Sequence, residues 1–98
     1  MTHKLKIAPE YYEAVVKREK TFEIRKNDRG FRVGDTIVLR EWNGEHYTGR
    51  SVSRYVNYIL YDWQDGLKDD YCIMNLKISS AKAVLDQQKG DRGCRNSA

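Results

Sequence analysis

Apolar positions along the chain recur at two periods, and the change between them marks the elements. "KLKI" at residues 4–7 alternates apolar with charged positions and predicts a short strand. Pro9 follows and then "EYYEAVVKREK", where Tyr12, Val15 and Val16 recur at helical spacing. Proline suits a first helical turn, because the N–H it lacks would be unpaired there. The spacing predicts a helix over 9–18. "TFEIR" returns to a period of two, with Phe22 and Ile24 on one face and Thr21, Glu23 and Arg25 on the other. "KNDRG" at 26–30 is built of turn residues, and Gly34 with Asp35 turns the chain into "TIVLREW" at 36–42. "NGE" at 43–45 signals a hairpin through a type I′ turn. A long strand follows over 46–60, with Val52, Val56, Tyr58 and Leu60 sharing a face and Gly49 as a candidate bulge. The acidic loop 61–70 carries Trp63, and "YCIMNLKI" at 71–78 alternates again as the last strand. Beyond Ile78 large apolar residues become sparse; 80–88 reads as a helix and 89–98 as a frayed tail.

The order strand, helix, then four strands predicts an α+β, mainly β fold. Five strands close into a small barrel with the early helix plugging one end. Residues 1–78 form the domain and 79–98 a C-terminal tail. At 98 residues the chain makes one small core. A mean hydropathy of −0.80 is low for such a core. The two tryptophans, seven tyrosines and two phenylalanines offset it by the area each ring buries. No run approaches the length that spans a bilayer, and the first ten residues lack the apolar stretch of a secretory signal, so no membrane partner is expected. Cys72 sits in an apolar run and Cys94 in the polar tail, which is not a disulfide framework and fits a reducing, cytoplasmic setting. His3, His46 and the two cysteines lack zinc-ligand spacing, so no metal and no cofactor is expected; the histidines have no evident partner.

The net charge of +4 is local. Residues 17–32 hold seven basic and three acidic residues, while the other 82 balance eleven against eleven. A localised positive stretch fits a polyanion such as RNA, although a charge run alone more often reads as a solvated helix end and loop.

At the centre of this stretch lies "REKTFEIR". It resembles the G-x-K-x-x-E-x-R signature of ASCH domains, members of the PUA-like β-barrel group. Lys20, Glu23 and Arg25 match it position by position, and Arg18 stands where the signature has glycine. The text "HKLKIAPEYYEAV", "KTFEIRKNDRGFRVGD", "YTGR" and the final apolar strand is most similar to DUF3850, a small group of bacterial and phage proteins. The resemblance runs from residue 3 to about residue 78. It implies a PUA-like barrel that binds RNA, with Lys20, Glu23 and Arg25 lining a cleft between helix and barrel. Some ASCH-like proteins are amidohydrolases acting on an acylated cytidine, with a threonine nucleophile at the position of Glu23. Glutamate there, with Thr21 two residues earlier, departs from that chemistry.

The candidate site is thus Lys20, Glu23 and Arg25, flanked by Lys26, Arg29 and Arg32 as phosphate contacts. Arg50 of "YTGR" reaches the same cleft, and Trp63 is a stacking ring on a loop. Glu23 and Arg25 also read as a plain ion pair on a sheet surface. Lys20 joins them only if the strand begins after it. The leading expectation is an RNA-binding domain without catalysis; the alternative is a small enzyme acting on RNA or a modified nucleoside, a nuclease or an amidohydrolase.

Overall fold

The alternating stretches form five strands around one helix. The computed structural model describes residues 1–61 and 66–78. Their order is β1 (Thr2–Ile7), α1 (Pro9–Val16), β2 (Phe22–Lys26), β3 (Thr36–Trp42), β4 (Tyr47–Tyr61) and β5 (Tyr71–Lys77). Trp63, and the helix and tail expected beyond residue 79, lie outside the described residues.

One sheet holds all five strands in the order β1-β3-β4-β5-β2. β1 runs parallel to β3, and the remaining pairs are antiparallel. Curvature comes from β4, which is 15 residues long and serves two neighbours. Its first part, to Tyr55, pairs with β3; from Tyr55 onward it pairs with β5. Two register shifts bend it. One lies opposite Glu41, where Gly49 takes a φ of 98° that a side chain would resist, so the expected bulge is present. The other lies at Asn57, between the pairs Val56–Leu76 and Tyr58–Asn75. It breaks the single face expected for Val52, Val56, Tyr58 and Leu60. Val56 and Ile59 are the buried residues, and Tyr58 turns outward. The sheet curls into a half-barrel, and among the described residues no ladder joins its outer strands β1 and β2.

The concave side is the core. It gathers Leu5 and Ile7, Ile37 and Leu39, Val56 and Ile59, and Cys72, Met74 and Leu76 from the strands. Helix α1 lays Tyr12 and Val15 onto it, and Phe31 enters from the loop before β3. The helix ends at Val16, two residues early, and Val16 is exposed rather than part of the apolar stripe. The hairpin after β3 has four loop residues between the paired Trp42 and Tyr47. Only Gly44 there has a positive φ, so the turn is not type I′; the Asn43 side chain instead accepts the N–H groups of Glu45 and His46.

Buried polar groups fix the ends of the half-barrel. Asp35 accepts from the Arg32 N–H and the N-terminal ammonium and contacts His3 Nε2 at 2.8 Å. The His3 ring also meets Phe31 edge-on at 4.7 Å. His3, without an evident partner in the sequence, is thus a buried structural residue, and His46 contacts Asn43 in the hairpin.

Candidate functional site

The helix end sets the position of Lys20. Arg18 adopts a φ of 64°, the left-handed conformation that follows many helices and that glycine adopts most readily. The Arg18 N–H donates to Val15 O and the Glu19 N–H to Ala14 O, the double closure of a Schellman motif. Position 18 therefore carries a backbone requirement that glycine would meet freely, and arginine meets it with strain. The chain reverses here, and β2 starts at Phe22. Lys20 precedes the strand and is free of its alternation.

Glu23 points into the half-barrel, in the cross-strand row with Met74 and Ile59, and is 5% exposed. Phe22 and Ile24 face outward. This inverts the usual arrangement, in which the apolar face turns inward. Burying a carboxylate requires partners, and both of its oxygens have one. Lys20 Nζ donates to Oε1 at 2.7 Å and Arg25 Nε to Oε2 at 2.7 Å. The pair is therefore not an exposed surface bridge.

Arg25, together with Arg29, also spans the open seam between β1 and β2. Arg25 Nη2 donates to Lys6 O at 2.6 Å and Arg29 Nη1 to Lys4 O at 3.0 Å, both on β1, while Lys20 Nζ stays on the β2 side with Phe22 O at 2.7 Å. Side chains satisfy edge carbonyls where a closed barrel would use backbone N–H groups. Along this seam runs a groove of about 610 Å³. Lys6, Lys20, Arg25, Lys26 and Arg29 line it against Glu23 and Asp28, an excess of three positive charges. Tyr11, Phe22 and Tyr71 add rings to its wall, and Ala8 with Tyr11 brings α1 to its edge. The Lys26 side chain makes no hydrogen bond or ion pair among the described residues, so its charge is available to a ligand.

Two of the remaining expected residues fall elsewhere. Arg32 is exposed, does not line the groove, and contributes its backbone N–H to Asp35. Arg50 is held by other carboxylates: its guanidinium donates to Glu41 at 2.9 and 2.8 Å and to Glu13 at 2.8 Å, and lies over the Tyr12 ring. Glu41 is 3% exposed, and hydrogen bonds from Arg50 and then Thr48 hold its carboxyl at about 2, against an ordinary 4.5. This second buried acid was readable as the third inward position after Ile37 and Leu39. Lys6, Tyr11, Phe22 and Tyr71 also belong to the groove, and only topology brings them there. No group of three or more metal-binding side chains is present among the described residues, and no helix described is long and apolar enough to cross a membrane.

The sequence of residues 2–76 matches the family described as "Domain of unknown function (DUF3850)". Over 75 residues the chain is 33% identical to a protein of Escherichia phage P2, described as an uncharacterized 12.9 kDa protein in the GpA 3′ region. The match covers 74% of this chain and 65% of the phage protein, so the chain spans less than two thirds of that relative's length.

Proposed function

The chain belongs to the DUF3850 family, and from that premise we propose that it binds RNA through the groove between β1 and β2. The observation that carries this reading is the groove itself, with three positive charges in excess and the rings of Tyr11, Phe22 and Tyr71 in its wall. Cations supply phosphate contacts and rings supply stacking for unpaired bases. Arg25, Lys26 and Arg29 take the phosphate backbone, and Tyr11 and Phe22, both largely exposed, offer ring faces. The match of Lys20, Glu23 and Arg25 to the ASCH signature supports the same reading and a PUA-like kinship. Glu23 has both oxygens engaged by cations, which favours a positioning role over that of a base and supports binding rather than catalysis.

Titration of a labelled RNA against the protein at several salt concentrations tests this. Lys26→Gln is expected to lower the slope of log affinity against log salt by about one. Arg25→Ala is expected to weaken binding further, with folding checked by circular dichroism because Arg25 also spans the seam. No binding at low salt, or wild-type binding by both folded variants, refutes the proposal.

A further inference from the structure

The convex side of β1, β3 and β4 carries a second positive surface that the linear charge count hides. Lys4 and Lys6 alternate outward on β1, and Lys6 is registered with Arg40 on β3 and through it with Ser51 on β4. Trp42, two residues beyond Arg40, pairs with Tyr47. The outward rows of these three strands contain no acidic residue. Ordinarily a sheet this exposed intersperses both signs of charge.

The cations here rest on rings. Lys6 Nζ lies 4.1 Å from the Trp42 ring centroid, and the Arg40 guanidinium lies 3.7 Å from that of Tyr47. The two rings meet edge-on at 4.9 Å with an interplanar angle of 74°. Such contacts hold the cations only weakly at an exposed site. No hydrogen bond or ion pair to Lys4, Lys6 or Arg40 side chains exists among the described residues.

We infer that this face binds a single-stranded stretch of nucleic acid, stacking bases on Trp42 and Tyr47. Charge complementarity selects the occupant: phosphates draw Lys6 and Arg40 off the rings, and bases take the ring faces they leave. A duplex offers its phosphates but keeps its bases stacked, and an acidic polypeptide offers charge without flat rings. The surface is continuous with the groove. Lys6 lines the groove, its carbonyl accepts from Arg25, and its ammonium reaches round to Trp42. The identity of the polymer as RNA rests on the reading of the groove; the face stands on its own residues.

The test uses fluorescein-labelled twelve-nucleotide oligouridylate at low salt, with Arg40→Gln and Tyr47→Leu as face variants and Lys26→Gln as the groove variant. Each face variant is expected to weaken binding about fivefold or more, the low end of what one stacked base contributes. Both substitutions lie on the convex face, away from the core, and circular dichroism confirms folding. Loss confined to the face variants supports this inference, and if Arg25→Ala also binds as the wild type the groove reading is removed. Loss confined to Lys26→Gln keeps the groove and overturns the face. Absence of binding by the wild type overturns both. Displacement of the oligonucleotide by polyglutamate as readily as by unlabelled oligouridylate also overturns the face, because charge alone would then suffice.

Discussion

Two glutamates in this protein are buried against arginine, and they answer different demands. Glu23 is shared by Lys20 and Arg25, and Arg25 also bonds across the open seam to Lys6 O. Glu41 is shared by Arg50 and Thr48, and Arg50 extends the link to Glu13 on α1. The first pairing lines a groove; the second ties β3, β4 and the helix together. Removing one partner of such a group is costly because it leaves a buried charge uncompensated. Glu41 makes a pH prediction. Its carboxyl is depressed to about 2 in the fold, mainly by the Arg50 hydrogen bonds, against an ordinary 4.5. As pH falls, the unfolded chain takes up this proton first. The stability it contributes is complete above about 4.5 and is lost as pH falls toward about 2. Asp35 acts in the same direction. Burial raises its pKa, but bonds from His3, the Arg32 N–H and the N-terminal ammonium outweigh that and lower it. Urea midpoints measured across this range are expected to fall with pH in the wild type. In Glu41→Gln they start lower at neutral pH and fall less steeply; an unchanged slope would show that Arg50 does not hold Glu41 as described.

At the scale of elements, the helix end decides where the site begins. Arg18 holds a left-handed backbone for the Schellman closure of α1, which costs a residue with a Cβ about 1–2 kcal/mol. Arg18→Gly is therefore expected to stabilise the protein by about 1 kcal/mol in urea unfolding. A loss of stability would mean that the arginine side chain contributes more than its backbone strain. The five strands and the helix were legible because alternation and helical spacing are local signals. "TIVLREW" and "YCIMNLK" fold as strands with Ile37, Leu39, Cys72, Met74 and Leu76 inward, as their pattern requires. Less legible were features set by pairing. The register shift at Asn57 exchanges Tyr58 for Ile59 in the core, and nothing in "YVNYIL" announces it. The inward turn of Glu23 contradicts hydrophobicity alone; its sign was the run of cations around it. The groove joins β1 to β2, which are separated in sequence by the helix and its turn, so Lys6 could not be assigned to it before the strand order was known.

On the scale of the whole molecule, the half-barrel leaves a seam between its outer strands, and among the described residues two arginine side chains span it in place of a ladder. Side-chain bridges can exchange partners without breaking a sheet, whereas a ladder cannot. A phosphate entering the groove competes for guanidinium groups that are already placed and charged. The arrangement accounts for the positive excess in residues 17–32, which supply four of the five basic groove residues. Amide chemical-shift mapping of the isotopically labelled protein during titration with a short single-stranded RNA tests this directly. The largest salt-sensitive shifts are expected at Lys6, Ala8, Lys20, Arg25, Lys26 and Arg29, along both walls of the seam. Unmoved seam resonances at saturating RNA and low salt would contradict the account.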